Sequence, residues 1–379
     1  MNQAVIVLAK RTAIGKLGGM FKNVPPEKLA ATVIEELISE TAINPHEIDE
    51  VILGNAIGPG GNMARLSLLT AGLPLEIPGV TIDRQCGSGL EAINMACRFV
   101  QAGAGEIYIA GGVESSSLAP WKIEKPTSLY TTPNFFSRAA FSPEQIGDPS
   151  MGVAADNVAE AYHISREAQD VFAYESHQKA VKAQEEGLFE DEIVAIGTRR
   201  QDEGPRKKLS MKTLQRMPAI FTEKGSVTAG NACAINDGAS AVLVMSEQKC
   251  QQLGLKPILR FIDATSAGVD PNLLGIGPIP AIEKLLKRTG KTIDDIDLIE
   301  FNEAFASQVL ATVEAVGIPQ ERLNVNGGAL AFGHPYGASG AILVTRLCTE
   351  MARRKGKFAL ATLGIGGGLG LATLFERYE

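Results

Sequence analysis

Cys86 is the residue of this 379-residue chain whose surroundings best suit a nucleophile. It lies in the run Gln85-Cys86-Gly87-Ser88-Gly89, after an apolar segment with strand character and before a helical pattern. Free backbone N–H groups at the start of that helix should lower the pKa of the thiol, and the N–H of Cys86 itself stays available to a developing oxyanion. A buried structural cysteine is the alternative interpretation.

His334 is the candidate general base among the four histidines. It stands between Gly333 and Pro335 in a run of small residues, where an imidazole can reach a ligand without crowding. Imidazole titrates near neutral pH, which suits it to accept the proton of Cys86. A histidine packed in the core is the alternative. The others lie in polar contexts that predict exposure to solvent: His46, His163 and His177.

Asn302 and a glycine-rich run near the end of the chain could complete a site. Asn302 ends a predicted strand and opens a predicted helix, where its side chain could cap the helix or hold a water or a thioester oxygen. Residues 364–370 lack the G-x-G-x-x-G spacing because Leu369 takes the last glycine position. The nine residues that follow cannot hold a helix and a second strand, which excludes a nicotinamide-binding loop.

Composition and charge narrow the class of protein. With 45% hydrophobic residues the chain can bury a large core, and no apolar stretch approaches the ~20 residues that span a bilayer. A formal charge of −7 disfavours a general nucleic-acid binder. Five scattered cysteines without paired spacing argue against a disulfide framework or a zinc site and indicate a reducing compartment. We therefore expect a soluble, cytoplasmic protein with no metal, membrane or nucleic-acid partner.

A polyanionic ligand would need a local basic patch instead. The best candidate is a charged tract in the middle of the chain: Arg199, Arg200, Arg206, Lys207 and Lys208. A solvated loop is the alternative interpretation of such a run of charge.

Strand and helix patterns alternate along most of the chain, which is typical of an α/β fold. In the first part the predicted strands are 4–9, 50–54, 80–83 and 106–111, and the predicted helices are 27–40 and 87–102. From residue 115 to about 230 the composition changes, and we expect an excursion from the core that contains a helix over 165–187. After residue 258 the predicted strands are 298–301, 323–325 and 358–363, with helices ending at 316 and spanning 338–354.

The two ends of the chain repeat one pattern. Residues 43–55 and 291–302 each end a helix, turn, and enter a strand that closes on an asparagine. Residues 85–92 and 333–341 are each a strand-to-helix turn rich in small residues, one with Cys86 and the other with His334. Two similar halves would turn both side chains toward one cleft. Chance similarity between α/β units is the alternative.

Taken together, these motifs resemble those of the thiolase family, in the family's order and over nearly the whole chain. The resemblance is carried by residues 85–89, 302–305, 333–335 and 364–370, with further matches at 150–152, 227–232 and 236–238. It implies an α/β fold: a five-layered αβαβα core of two similar halves, plus a loop domain that covers coenzyme A. The implied bounds are 1–115 for the N-terminal half, completed by about 236–256, then 116–235 for the loop domain and 257–379 for the C-terminal half.

The resemblance also implies an activity: an acetyl-CoA C-acetyltransferase of fatty acid metabolism, with coenzyme A and acyl-CoA as partners and no separate cofactor. Cys86 resembles the acylated nucleophile, and His334 resembles its base, which forms one oxyanion hole with Asn302. The N–H groups of Cys86 and Gly366 resemble the other hole. Contacts to pantetheine or nucleotide are implied for Met151, Arg206, Phe221, Ala229, Cys233, Ala304 and Phe305. Family members are dimers or tetramers, so a homodimer or homotetramer is expected.

Two positions depart from the family pattern. This chain has Gly364 where the family has a second cysteine that moves a proton in the carbon–carbon bond step, and Cys233 where relatives usually have a serine. Losing a general acid or base costs ~10²–10⁴ in rate, so acylation could survive while carbon–carbon chemistry fails. Gly364 could instead leave room for a water or a substituted acyl chain, and Cys233 could replace the proton donor or be a small buried residue. An acyl-CoA hydrolase, or an acyl-CoA-binding thiolase-like protein, is therefore the alternative function.

Overall fold

A computed structural model describes residues 2–378 of the chain. The strands are β1 Ala4–Thr12, β2 Gly15–Lys16, β3 Glu50–Gly54, β4 Gly79–Ile82, β5 Ile107–Ser115, β6 Lys122–Ile123, β7 Phe135–Phe136, β8 Ile193–Val194, β9 Asn236–Ser246, β10 Leu259–Gly268, β11 Leu298–Phe301, β12 Phe358–Ile365 and β13 Leu369–Arg377. The α-helices are α1 Pro26–Thr41, α2 Met63–Thr70, α3 Ser88–Ala102, α4 Met151–Ala161, α5 Arg166–Glu185, α6 Met211–Gln215, α7 Glu247–Gln252, α8 Pro278–Thr289, α9 Ala306–Val316, α10 Ala329–Phe332 and α11 Tyr336–Arg353.

The long strands form two half-sheets with the same internal pairing. The first runs in the order β4-β3-β5-β9-β1 and the second in the order β11-β12-β13-β10. In each half-sheet the strands at one edge pair in parallel, namely β4–β3–β5 in the first and β11–β12 in the second. The pairing then becomes antiparallel, at β5–β9 in the first and at β12–β13 in the second. A short antiparallel pairing of β1 with β10 joins the two half-sheets. The predicted internal repeat is therefore confirmed.

One predicted strand of the repeat is wrong. Residues 323–325 do not form a strand, and a single parallel bridge between Ile299 and Leu323 takes the place that β4 has beside β3. The chain turns at Asn324, which has a positive φ of 42°. The side-chain amide of Asn324 hydrogen-bonds to the backbone N–H and carbonyl of Phe301, and these bonds replace the backbone pairing that a strand would make.

Helices and half-sheets alternate in five layers, as predicted. Helices α3 and α11 pack on each other between the half-sheets and contact strands of both. Helix α1 covers the outer face of the first half-sheet together with α2. Helix α8 covers the outer face of the second, and α9 shares a core cluster with α8 and that face. The central core cluster draws apolar side chains from both half-sheets and both middle helices, so burying them holds the halves together.

Residues 116–235 contribute short strands and helices, of which α5 is the longest. Strand β9 then returns to the first half-sheet and pairs between β5 and β1. The helix predicted over 165–187 is α5. No helix in the described part of the chain is both long and apolar enough to cross a membrane.

Candidate active site

Cys86 sits on a tight turn between β4 and α3. The residue before it, Gln85, has a positive φ of 49°, an uncommon conformation for a residue with a side chain. Asp83 holds this geometry by accepting the Gln85 N–H at 2.7 Å, and the Ser88 hydroxyl donates to the Gln85 carbonyl at 2.6 Å. The turn therefore presents Cys86 at the start of the helix, as the sequence predicted.

The prediction of a lowered thiol pKa is wrong. Burial raises the pKa of Cys86 to about 12, against the opposing hydrogen bonds from the N–H groups of Gly366 and of Cys86 itself. The charges of Glu114 and Asp83 act in the same direction as burial. Desolvation of the sulfur thus outweighs the helix N-terminus. At neutral pH the thiol keeps its proton, and a nucleophilic role requires a base.

The turn with His334 faces the turn with Cys86 across a contact between two helix N-termini. Gly89 of α3 lies three residues after Cys86, and Gly337 of α11 lies three residues after His334. A Cβ added to Gly89 would lie 2.6 Å from the carbonyl oxygen of Gly337, so the two backbones touch. The absence of side chains at this crossing is what lets the two halves bring their turns together.

His334 is buried and held on both ring nitrogens. Its Nδ1 lies 2.5 Å from the Ser339 hydroxyl, and its Nε2 lies 3.4 Å from the side-chain amide of Asn302. Burial lowers the pKa of His334 to about 3, so the imidazole is neutral at pH 7. The Tyr336 ring packs edge-on against it with centroids 4.9 Å apart. The Cys86 thiol and His334 share no hydrogen bond in the described structure, and Tyr336 borders both groups.

Asn302 does not cap a helix. Helix α9 begins at Ala306, and its N-cap is Phe305. The side chain of Asn302 instead faces His334. The turn that carries Asn302 is anchored by the next residue, Glu303. The buried Glu303 carboxylate accepts hydrogen bonds from Ser176 at 2.7 Å, Asn324 at 2.7 Å and the Leu330 N–H at 3.1 Å.

Two buried acids at the site were missed by sequence reasoning: Glu303 and Glu114. Glu114 accepts N–H bonds from Ala56 at 2.9 Å and from Gly337 at 3.0 Å, which fixes the start of α11 beside His334. Burial raises the pKa of Glu114 to about 7. Glu114 is the last residue but one of the apolar strand β5, and an acidic residue in such a strand is the sequence signal that could have identified it.

Five of the predicted substrate contacts lie together. The Cys233 N–H donates to the Ala304 carbonyl at 2.9 Å, and the neighbouring Ala232 bridges to Phe305. The rings of Phe305 and Phe221 meet edge-on with centroids 6.2 Å apart. Phe221 in turn lies against Gly152, the residue after Met151. Ala229 is exposed nearby in the chain.

Cys233 lies close to Cys86. Burial raises the pKa of its thiol, and the charge of Cys86 adds to that shift. The segment that carries Cys233 hydrogen-bonds at one side to Ala304 and at the other to His334, through the Ala234 carbonyl at 3.0 Å. Cys233 therefore borders the site and is not a remote core residue.

The predicted basic patch divides into two parts. Arg206, Lys207 and Lys208 line one open pocket of about 440 Å³ with Leu209, Thr213 and Met217. Arg200 lines a different cavity beside Glu36 and Asp202, and Arg199 closes a turn with Ile196. The expectation of one five-residue patch is therefore wrong, because the intervening segment separates its ends.

The predicted exposure of His177 is also wrong. His177 is buried in α5, and its Nδ1 accepts the Arg206 N–H at 3.2 Å. Burial lowers its pKa to about 4, with the charge of Arg206 adding to the shift. The polar residues around His177 in the sequence wrongly predicted exposure, and the structure shows that His177 holds the backbone of Arg206 in the basic pocket. Among residues 2–378, no group of three or more acidic, histidine or cysteine side chains could hold a metal ion.

A half-buried thiol beside two backbone N–H groups, near a neutral buried imidazole, is an arrangement suited to covalent acyl transfer. Comparison with known families agrees with it. The chain belongs to the thiolase family, since the model of the thiolase N-terminal domain matches residues 4–248 and that of the thiolase C-terminal domain matches residues 255–377. It is therefore an acyltransferase enzyme.

Similar proteins match over their whole length. A protein of Staphylococcus epidermidis with the provisional name acetyl-CoA C-acetyltransferase VraB is 51% identical, over 100% of this chain and 99% of that protein. A protein of the same name from Staphylococcus aureus is 50% identical, over 100% of both. The crystal structure of the Bacillus anthracis acetyl-CoA acetyltransferase superposes with a TM-score of 0.94 at 38% identity, over 100% of this chain and 99% of that one.

Proposed function

We propose that this protein is an acetyl-CoA C-acetyltransferase that moves acyl groups between coenzyme A and a 3-oxoacyl-CoA through a thioester on Cys86. The observation that carries the proposal is the convergence of the Gly366 and Cys86 N–H groups on the Cys86 sulfur. Donors in that position can stabilise the negative oxygen of a tetrahedral intermediate formed on the sulfur. The names of the similar proteins support the same activity.

In the cleavage direction, His334 accepts the thiol proton and the sulfur attacks the 3-oxo carbon of the substrate. The N–H groups of Cys86 and Gly366 receive the charge that develops on the oxygen. The bond between C2 and C3 then breaks, which leaves the acyl group on Cys86 and the enolate of acetyl-CoA facing His334 and Asn302. The enolate takes the proton that His334 holds, which forms acetyl-CoA. His334 then accepts the proton of the coenzyme A thiol, whose sulfur attacks the acyl–Cys86 thioester. The Cys86 sulfur leaves and regains a proton from His334, and the shortened acyl-CoA is released.

The remaining predicted contacts suit the two ends of coenzyme A. Met151, Phe221, Ala229, Cys233, Ala304 and Phe305 would border the pantetheine arm. Arg206, with Lys207 and Lys208, would meet the phosphates, because an open pocket with three cations suits a polyanion. In this proposal residues 116–235 cover the bound coenzyme. We further propose that the protein works in the cytoplasm, in fatty acid metabolism, as a homodimer or homotetramer.

A second candidate function is favoured by Gly364. A chain without the second cysteine could acylate Cys86 and then release the acyl group to water, as an acyl-CoA hydrolase, or only bind acyl-CoA. Both candidates share the acylation step, so the fate of the acyl group separates them.

The test incubates the purified protein with acetoacetyl-CoA and coenzyme A and identifies the products. We expect acetyl-CoA from the wild type, acetylated Cys86 in the intact mass, and loss of both in Cys86→Ser. Cys250→Ser is the matched control, because Cys250 is a buried cysteine on α7 that belongs to a different core cluster from the one against which Cys86 packs. Acetate without acetyl-CoA would favour the hydrolase, and the absence of any acetyl group on Cys86 would contradict both candidates.

A further inference from the structure

Glu300 and Arg346 are buried side chains that line one small cavity and leave polar atoms unpaired there. Glu300 is 1% exposed and Arg346 is 4% exposed. Oε1 of Glu300 and Nη2 of Arg346 have no hydrogen-bond partner within residues 2–378. Unpaired buried groups cost free energy, so a donor and an acceptor beside one cavity indicate a ligand that both donates and accepts.

The other contacts of Arg346 hold its guanidinium in place. Nη1 donates to the carbonyl oxygen of Gly327 at 3.1 Å. The guanidinium carbon lies 4.2 Å from the ring centroid of Phe332 and 4.8 Å from that of Phe189. Arginine stays charged in proteins, and a buried charge needs polar partners. The two rings leave the cavity as the place where Nη2 can find one.

The cavity has room for one water molecule. Its volume is about 20 Å³, and Asn302 and Ser339 also line it. A space of about 15 Å³ is enough for a buried water, which typically makes about three hydrogen bonds. Within residues 2–378 the lining includes neither Cys86 nor any of the proposed contacts to coenzyme A. The cavity therefore suits a resident water and lies apart from the space for the substrate.

The four polar side chains meet at this cavity because of their spacing on two elements. Glu300 on β11 and Asn302 just after it are two residues apart, which turns both side chains to one face of the strand. Ser339 and Arg346 are seven residues apart on α11, so they also share a face. Asn302 and Ser339 contact the two ring nitrogens of His334. The cavity thus adjoins both supports of the proposed base.

We infer that this cavity binds one water molecule, which joins Glu300 and Arg346 to the side chain of Asn302. Glu300 and Arg346 are thereby positioning residues for the base of the proposed function, on which this inference rests. The water accepts from Nη2 of Arg346, donates one proton to Oε1 of Glu300 and donates the other to the side-chain oxygen of Asn302. The last of these bonds turns the amide nitrogen of Asn302 toward Nε2 of His334, where it lies at 3.4 Å.

The orientation of the Asn302 amide matters for proton transfer. If the amide turns over, its oxygen faces Nε2 of His334. An acceptor in that place favours a proton on Nε2, which is the nitrogen that must be unprotonated to take the proton of Cys86. Loss of the water should therefore slow the chemical steps and leave the binding of substrate unchanged.

The first test is a crystal structure of the full chain at a resolution that shows ordered waters. We expect one water within about 3.2 Å of Oε1 of Glu300, Nη2 of Arg346 and the side-chain oxygen of Asn302. An empty cavity, or a direct ion pair between Glu300 and Arg346 without a water, overturns the inference.

The second test measures acetoacetyl-CoA cleavage by Glu300→Leu, which has a side chain of similar size that cannot bind the water. The turnover number is expressed per Cys86 that acetyl-CoA can acetylate, counted by intact mass at the end point, so that misfolded chains are left out. We expect it to fall at least about fivefold while KM stays within about twofold. Glu300→Gln keeps an oxygen for the water and should recover most of the turnover.

Glu350→Leu is the matched control. Glu350 is a buried acid one turn after Arg346 on α11, and its carboxylate accepts from Arg353 at 2.9 Å and from Arg354 at 3.0 Å. This variant removes a buried carboxylate from the same region without altering the lining of the cavity. Its turnover number per acetylated Cys86 should match that of the wild type.

Arg346→Met removes the other partner of the water, and it serves if Glu300→Leu does not fold. NMR of ¹⁵N-labelled histidine reports the tautomer directly, and we expect Nε2 of His334 to be unprotonated in the wild type and partly protonated in either variant. Unchanged turnover and tautomer in folded variants, or a loss equal to that of Glu350→Leu, overturns the positioning role while the proposed function stands. Failure of the wild type to acetylate Cys86 overturns the proposed function itself, and the crystal structure still tests the water.

Discussion

The hydroxyl of Ser339 lies 2.5 Å from Nδ1 of His334 and also donates to the carbonyl oxygen of Pro335 at 3.0 Å. A hydroxyl has one proton, and the carbonyl can only accept, so the Ser339 proton points at Pro335 and its oxygen accepts from Nδ1. Nδ1 therefore carries the imidazole proton, and the unprotonated Nε2 accepts from the side-chain amide of Asn302 at 3.4 Å. In the proposed reaction Nε2 is the nitrogen that takes and returns a proton.

Removing this hydroxyl should impair the base without removing it. In Ser339→Ala we expect the turnover number for acetoacetyl-CoA cleavage to fall about fivefold, since losing one buried hydrogen bond costs about 1 kcal/mol, while KM changes little. Steady-state kinetics with acetoacetyl-CoA and coenzyme A measure this. Ser67→Ala is the matched control, because Ser67 is a buried serine on α2 whose hydroxyl has no partner in the described chain. Equal effects of the two substitutions would contradict a tautomer-fixing role for Ser339.

The raised pKa of Cys86 predicts how its reactivity depends on pH. While the pH is below the pKa of about 12, the thiolate fraction of Cys86 rises tenfold for each unit by which the pH increases. Alkylation of Cys86 by iodoacetamide should therefore rise steadily between pH 7 and pH 10, as followed by mass spectrometry of the peptide that contains it. A plateau that begins near pH 7 would instead show a preformed thiolate and imidazolium pair, contrary to the neutral state that burial imposes on both groups.

Much of this site could be predicted from the sequence because the turns are local. Glycine, proline and small residues around Cys86 and His334 specify two similar turns, and the repeat implied that they meet. The ionisation of the site could not be predicted in this way. Whether a helix N-terminus or desolvation sets the pKa of Cys86 depends on atoms brought by β12, far away in the chain. For the same reason the anchoring contacts of Glu303 and the burial of His177 were not predicted.

The basic pocket predicts a selective loss of affinity for coenzyme A. Lys207 pairs with Glu185, whereas Arg206 and Lys208 form no ion pair within residues 2–378. For Lys208→Ala we expect KM for coenzyme A to rise about threefold to tenfold, and more weakly at high salt, because an exposed charge contributes about 1 kcal/mol and is screened. A truncated thiol such as N-acetylcysteamine lacks the phosphates, so its KM should not change. Arg200→Ala, which alters a cation at a different cavity, is the control. A rise in KM for both thiols would contradict phosphate binding by this pocket.

Glu300 on β11 should make the stability of the protein depend on pH. Burial raises its pKa to about 8, with the charge of Arg346 opposing the shift, and Oε1 of Glu300 and Nη2 of Arg346 have no hydrogen-bond partner in the described structure. Both side chains border a cavity of about 20 Å³ that Asn302 and Ser339 also line. Between the ordinary value of 4.5 and about 8, the folded protein keeps a proton that the unfolded chain has lost. Its free energy of unfolding therefore falls as the pH rises through this window.

The Glu300→Gln variant removes that titration and keeps the shape of the side chain. We expect the unfolding midpoint of the wild type, relative to the variant, to decrease between pH 5 and pH 8 and then to level off, as measured by thermal unfolding in a series of buffers. Glu314→Gln, at an exposed position on α9, should follow the wild type at every pH. Parallel pH profiles for wild type and Glu300→Gln would show that Arg346 keeps Glu300 ionised in the folded state. In that case Glu300 and Arg346 form a buried ion pair. The cavity beside Asn302 is then lined by two charged side chains and not by a neutral carboxylic acid and an arginine.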